Sequence, residues 1–427
     1  MSDFNRQQIG NAVYLTKITD KHFKTNQITV HFYTDFNDDS GLTRADYALA
    51  AYILSDSCRK YPTYSAMSQQ LMGLYRASLS SGTNFSPTGA RHTYLRADFL
   101  DNRFALNGEN IESEMCKMLS ECILRPNASG SAFDGAATEL MRGELIDTIT
   151  SVINDKSDYA RENAAKTAFR GEPQELSANG TREQAENANS ETAYAAYRKL
   201  LDTAHVEIVC AGCSDFSAAE EEMFQTFFEI NRRTIIEIPK TVRSPLKEKP
   251  EYVSDTLPMM NQAILRMYFK APDLTDRFAN KMMTLILGGL PTSRFFTNIR
   301  EKKSLCYYCS AVSTFERKYM TAYAGVEPQN LKKTEKAILK EISDIAENGV
   351  TNEELETVNR FIQNSLRSVY DTPESLASWY ATQLHNDRIL TPEQYSEELS
   401  RVTSGRIQSA ARLYKLDTVY SLSGGDK

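Results

Sequence analysis

The 427-residue sequence predicts an α+β fold built as two related halves. Two apolar strand-like runs, ITVHFY from Ile28 to Tyr33 and AILRMYF from Ala263 to Phe269, stand near the start of each half. Each is followed by the same succession of paired helices, further strands, long helices and a final strand, the order expected of an internal duplication. Between Asn231 and Ser254 the composition turns to Lys, Arg, Glu and Pro, with Pro239, Pro245 and Pro250 spaced through it, as a linker requires. The expected organisation is one half over 1–230, a linker over 231–254 and a second half over 255–427.

Each element has a local reason. Val13 to Ile18 and Ile28 to Tyr33 read as strands. Thr43 and Asp46 have the spacing of a capping box that starts a helix from Arg44 to about Arg59, stopped before Tyr61-Pro62. A second helix is expected over about Ser65 to Ala77. Gly82 and Gly89 interrupt, and alternation returns at Thr93 to Phe99 and at Arg103 to Asn107. Helices follow over Glu112 to Leu124, about Phe133 to Phe169 and Ser190 to Leu201, before HVEIVCAG closes the half near Gly212. In the second half, Thr275 to Leu287 and TSRFFTNIR are the paired helices, and Tyr307 to Phe315 and Met320 to Val326 the strands. Gln329 to Asn348 is a long helix stopped by Gly349, and Thr351 with Glu354 caps the next. Thr372-Pro373 and Thr391-Pro392 each set an N-cap ahead of a first-turn proline, and Thr418 to Leu422 closes the sheet.

Composition narrows the function. With 41% hydrophobic and 25% charged residues the chain has the balance of a globular protein. A net charge of −7 with no clustered basic face argues against a nucleic-acid partner. No basic segment followed by an apolar core opens the chain, and nowhere do 18 apolar residues run together, so no membrane span is expected and the cytoplasm is the expected compartment. Seven cysteines, an odd number, fit a reducing environment better than a disulfide framework.

The most densely specified stretch is LGGLPTSRFFTNIREKKSLCYY, Leu287 to Tyr308, which packs a helix end, a turn, a short helix and an aromatic strand together. It resembles the C-terminal-half signature of the pitrilysin/insulinase-type zinc metallopeptidases, a family that includes the mitochondrial processing peptidases. The likeness extends over nearly the whole chain, through GEPQELSANGTREQAENANSETAYAAYRKLL and VEIVCAGCSDF. It implies that each half is a mostly antiparallel sheet with helices packed on one face, in a clamshell arrangement whose chamber takes unfolded peptides.

Active members of that family carry an inverted motif, HxxEH, on the first helix. Two His at i and i+4 share one helical face as zinc ligands, the Glu between them activates the metal-bound water, and a distant Glu is the third ligand. The matching helix here reads ALAAYILSDSCRKYP, which puts Tyr52, Ser55 and Asp56 at the motif positions, with Ile53 and Leu54 between. Neither HxxEH nor HExxH occurs elsewhere, and the five histidines (His22, His31, His92, His205, His385) all lie more than four residues apart. Glu139 and Glu144, where the distant ligand is expected, read as a solvated helix face without His partners. No metal or cofactor is expected on this chain.

The resemblance also implies a second part of the site. In active members an Arg and a Tyr seven residues apart in the C-terminal half reach the site formed on the opposing half, and the matching residues are Arg300 and Tyr307. A guanidinium can hold peptide carbonyls and a phenol can stabilise an oxyanion. On spacing alone the two read as a surface ion pair and an ordinary strand aromatic, and Tyr308 competes for the role because a one-residue shift turns the strand face.

Two CxxC pairs, Cys210/Cys213 and Cys306/Cys309, fall in strand-like contexts where residues i and i+3 point to opposite faces, so neither is expected to chelate an ion or act as a redox pair. Gly288-Gly289 lacks either phosphate-loop pattern and reads as a helix C-cap.

Two functions follow from the resemblance. The first is a non-catalytic, substrate-binding subunit of a heterodimeric zinc metallopeptidase, supplying Arg300 and Tyr307 to an HxxEH-bearing partner that holds the zinc, or else a self-associating chain. The alternative is a peptide-binding or scaffold protein with no role in hydrolysis, since the chain is similar to bacterial proteins labelled as linked to elongation factor P modification or peptide maturation.

Overall fold

A computed structural model of the protein describes residues 3–36, 40–230, 232, 234–237, 242, 244–384 and 386–425. The chain divides into two compact units, one of Met1–Ser151, Ser177–Pro239 and Ser368–Ile389, the other of Val152–Leu176, Lys240–Arg367 and Leu390–Lys427. Each unit is therefore discontinuous, taking a segment from the opposite end of the sequence. Residues 231, 233, 238–241 and 243 of the expected linker lie outside the described residues.

The first unit is built on strands β1 (Asp3–Gly10), β2 (Val13–Thr19), β3 (Thr25–Thr34), β4 (Ser78–Phe85) and β5 (Arg91–Leu100). A two-residue hairpin, β6 (Ala128–Ser129) with β7 (Ala132–Phe133), stands apart, and β8 (His205–Gly212) completes the sheet. The sheet order is β1-β2-β8-β3-β5-β4, with β2 and β8 parallel and the other pairs antiparallel. Val13, Leu15, Ile28, Val30, Phe32, Leu95, Ala97, Ile208 and Cys210 alternate onto one face and form the core with the helices.

Those helices are α1 (Arg44–Asp56), α2 (Tyr64–Gly73), α3 (Ile111–Leu124) and α4 (Gly135–Ser151). After α5 (Lys156–Ala168), which belongs to the second unit, come α6 (Arg182–Asn187), α7 (Ser190–Thr203) and α8 (Ser217–Phe228). The capping box of α1 forms as expected: Thr43 N donates to the Asp46 carboxylate (2.7 Å) and Asp46 N to Thr43 Oγ1 (3.3 Å). Helix α2 stops short of Ala77 because Tyr75 and Arg76 take left-handed backbone angles, φ +59° and +61°.

Two expectations need correction. The segment Arg103 to Asn107 is not a strand: Asp101 accepts from the backbone N–H and Nε of Arg103 and winds 102–104 into a 3₁₀ turn. The partner of β5 is instead β4, SLSSGTNF, whose small polar residues conceal a strand. The expected helix from Phe133 to Phe169 is two helices, broken at 152–155, where Asp155 caps α5 by accepting from Ser157 N and Asp158 N. That break is where the chain passes from the first unit to the second.

The second unit has strands β9 (Glu251–Leu257), β10 (Ala263–Lys270), β11 (Tyr308–Thr314), β12 (Tyr319–Val326) and β13 (Lys415–Gly424). Strand β9 takes up 251–254, the last residues of the expected linker. The order is β11-β12-β10-β13-β9, with β13 and β9 parallel and the other pairs antiparallel. Position for position this is the order and sense of β4-β5-β3-β8-β2, so the duplication expected from the sequence is present in the topology, with β1 as an addition. Helices α9 (Arg277–Thr284), α10 (Leu331–Asn348), α11 (Asn352–Arg367), α13 (Pro392–Ser400) and α14 (Ser404–Leu413) follow the same plan, while α12 (Pro373–Ala381) belongs to the first unit.

The second face of each sheet is covered by one of the exchanged helices. In the first unit Leu376, Ala377 and Tyr380 of α12 pack on Ile18, Val209 and Ala211. In the second, Ala160, Ala164 and Ala168 of α5 pack with Ile264, Tyr268, Tyr420 and Leu422. The small alanines let α5 approach closely, and a buried lysine secures it: Lys270 Nζ donates to Ala168 O and Pro245 O, both at 2.8 Å, and lies 3.5 Å from Glu172 and 3.6 Å from Asp417. A charge at 1% exposure needs this full set of partners.

Candidate functional site

The C-terminal turn of α1 carries Tyr52, Ser55 and Asp56. Tyr52 is half-buried against the core. Ser55 Oγ shares a hydrogen bond with Ser81 Oγ of β4 (2.8 Å), and Ser81 in turn donates to Ala51 O (2.7 Å). Asp56 is buried, with one carboxylate oxygen, Oδ1, lacking a hydrogen-bond partner. Desolvation holds its carboxyl above the usual range; a Ser57 hydrogen bond opposes this, and the Glu144 carboxylate of α4 adds to it. Helix α4 therefore lies where a distant ligand would need to be, but Glu144 is exposed and Glu139 is paired with Arg142.

This donor set does not fit zinc. It offers a phenol, a hydroxyl and a buried carboxylate facing a second carboxylate, with no imidazole. Among the described residues no group of three His, Cys, Asp or Glu could hold a metal ion. His31 and His92 do meet, Nδ1 to Nε2 at 2.8 Å, because β3 pairs with β5, but they lie on strands rather than on α1. His385 lies outside the described residues.

The second part of the site is built by the stretch from Leu285 to Tyr308. Helix α9 loosens into π-type turns at Leu285–Gly289 and again at Phe295–Glu301. Gly288 is required by contact: a Cβ there would meet Ala311 N at 2.4 Å and Phe295 at 2.7 Å, so the glycine lets the helix end lie flat on β11. This replaces the C-cap expected from the sequence. Arg294 then locks the turn to two helices, donating to Glu354 (2.6 and 3.0 Å), Asp344 (2.7 Å) and Gly349 O (3.1 Å). Its role was not apparent from sequence, although Glu354 was, since the same carboxylate caps α11 by accepting from Thr351 N.

From this base the chain folds back. Ser304 takes φ +50°, Leu305 N donates to Ile299 O (3.1 Å), and Tyr307 N donates to Gly325 O of β12 (2.8 Å), just ahead of β11. The Arg300 side chain is 43% exposed; its nearest carboxylate is Glu301, 3.9 Å away, and its guanidinium lies 4.8 Å from the Phe296 ring centre. Tyr307 is 48% exposed, and its hydroxyl donates to Glu327 at 3.3 Å. Loss of hydration and the Glu327 charge hold its phenol above the ordinary value, so it is a proton-bearing donor at neutral pH. Tyr308 turns the other way: its ring lies across Gly325, where a Cβ would come within 2.3 Å of it.

A family model described as the Peptidase M16 inactive domain matches residues 187–360. The chain is similar over almost its full length to the probable inactive metalloprotease YmfF of Bacillus subtilis, 21% identical over 418 residues, covering 97% of this chain and 96% of that one. In fold it is similar to a conserved protein from Enterococcus faecalis V583 (TM-score 0.88, 22% identity) and to a peptidase M16 inactive domain from Pseudomonas fluorescens (TM-score 0.80, 16% identity), each covered over 99% of both chains. The chain thus has the duplicated α+β fold of these structures, matches the Peptidase M16 inactive domain over residues 187–360, is similar over nearly its full length to a probable inactive metalloprotease, and has no HxxEH motif in its sequence.

Proposed function

We propose that the chain is the substrate-binding subunit of a heterodimeric zinc metallopeptidase, and that it contributes Arg300 and Tyr307 to a partner chain carrying HxxEH and the zinc. The supporting observation is a contrast within the chain: the α1 end offers no imidazole and only the buried Asp56 carboxylate in place of the zinc ligands, whereas Arg300 and Tyr307 are half-exposed and only loosely engaged. Arg300 would donate to carbonyl oxygens of an unfolded peptide, and Tyr307 would donate to the oxyanion formed when the partner's zinc-bound water attacks. A second copy of this chain cannot take the partner's place, because it brings the same Tyr52, Ser55 and Asp56. Seven free thiols support a cytoplasmic setting, and no helix among the described residues is long and apolar enough to cross a membrane.

The test is reconstitution. The chain alone should contain no stoichiometric zinc and cleave no peptide; mixed with its HxxEH-bearing partner it should raise peptide hydrolysis. If the mixture is no more active than the partner alone, the reading fails and a scaffold role takes its place.

A further inference from the structure

Strand β10 carries one charge that the fold does not pair. Arg266 stands between Ile264 and Tyr268 on the face of the second sheet that α5 covers, and it is only 7% exposed. Its Nη2 donates to Ser157 O and Ser157 Oγ at the start of α5, both at 3.2 Å, while its Nε is buried without a hydrogen-bond partner. Its Nη1 has no partner among the described residues either, but is not sealed from solvent. No described carboxylate pairs with this guanidinium; the ionisable groups around it are Arg161, Tyr268, Tyr308 and Tyr323. Lys270, on the same face of the same strand, shows the contrast, since two carbonyls and two carboxylates surround it. Burying a cation without a counter-ion is costly, and an anion supplied from outside removes that cost.

We propose that Arg266, with the hydroxyls of Tyr308 and Tyr323, forms a binding site for a carboxylate group of a bound peptide. Strand register brings the three together: Arg266 pairs with Tyr323 of β12, and Gly325, two residues on, pairs with both Ile264 and Tyr308. Because Gly325 has no Cβ, the Tyr308 ring lies across β12, 6.3 Å from the Tyr323 ring, whose centre is 5.2 Å from the Arg266 guanidinium. Neither phenol hydroxyl has a hydrogen-bond partner among the described residues, and both side chains are only partly buried. Desolvation holds the Tyr308 phenol above its ordinary value, so it carries its proton at neutral pH. Helix α5 packs on β10, β13 and β9, and Val312 of β11, on the same face as Tyr308, is 53% exposed, so a ligand can approach from the β11 side. The nearby acids are already engaged, Asp155 as the cap of α5 and Asp158 with Arg161. A guanidinium fork matches the two oxygens of a carboxylate, and each phenol can add one hydrogen bond.

The site rests on the peptide-binding part of the proposed function, but its test uses the full-length chain alone, so a failed reconstitution with a partner and a failed carboxylate site are separate results. Three probes are titrated by calorimetry at constant ionic strength: a short acetylated alanine peptide with a free C-terminus, the same peptide as its C-terminal amide, and that amide with one central Glu. A peptide bearing a carboxylate should bind at least about tenfold more tightly than the neutral amide. Which of the two does so separates a terminal carboxylate from an acidic side chain. Arg266→Met should erase the preference yet melt no lower than the unsubstituted chain, because an unpaired buried charge is removed. Tyr308→Phe and Tyr323→Phe should each weaken carboxylate binding by about threefold. Equal binding of the three peptides, no binding of any of them at about 10 mM, or a preference that survives Arg266→Met would overturn the assignment. A fall of more than about 5 °C in the melting temperature of Arg266→Met would overturn it too, by giving the guanidinium to the fold.

Discussion

At the end of α1, Ser55 is tied to Ser81 and Asp56 is 6% exposed, whereas in the second unit Arg300 and Tyr307 are about half-exposed and hold only a 3.9 Å ion contact and a 3.3 Å hydrogen bond. An exposed ion pair of that length is worth between nothing and about 1 kcal/mol, so Arg300 can trade Glu301 for a ligand at little cost. Displacing Ser55 or Asp56 disturbs the contacts of α1 with β4 and α4. Polar side chains at the first place serve the fold, and those at the second are free to serve a ligand. The frame beneath the second place is held as firmly as α1, through Gly288 and Arg294.

That contrast can be broken or sharpened by substitution. Gly288→Ala should cost about 2–3 kcal/mol in urea unfolding, because its Cβ would fall against the β11 backbone rather than a movable side chain. Arg294→Ala should cost about 2–3 kcal/mol, since it leaves Glu354 and Asp344 facing each other around an emptied site where the Arg294 side chain was only 11% exposed. Asp56→Asn should act in the opposite direction. The folded state raises the Asp56 pKa, so it binds the proton more tightly than the unfolded chain, and stability falls as pH rises through the raised value. The amide removes that penalty: a gain of about 1 kcal/mol at pH 7, vanishing below the ordinary aspartate pKa, is expected in a pH series of melting curves. Arg300→Ala should change stability by no more than about 0.5 kcal/mol, and a larger loss would assign it to the fold instead.

Local chemistry explains which features could be read before the structure. The capping box at Thr43, the first-turn prolines Pro373 and Pro392 and the Gly349 stop are contained within a few residues, and each falls where the sequence places it. Strands β1 and β4 were not legible, because DFNRQQIG and SLSSGTNF have the polarity of loops and become strands only through β2 and β5. The break before α5 is equally non-local: nothing in 152–155 announces that the chain there leaves one unit for another. At the site, Tyr52, Ser55, Asp56, Arg300 and Tyr307 are singled out by the family resemblance, not by spacing alone. Arg294 and Gly288 depend on side chains 50 or more residues away and on the close approach of β11.

The most direct measurement is the kcat/KM of peptide hydrolysis by the HxxEH-bearing partner mixed with this chain, compared with the same mixture made with Arg300→Ala. A loss of at least tenfold, about 1.4 kcal/mol of transition-state stabilisation, is expected while the variant melts like the unsubstituted chain. Full activity of the Arg300→Ala mixture would contradict the proposed division of an active site between two polypeptides.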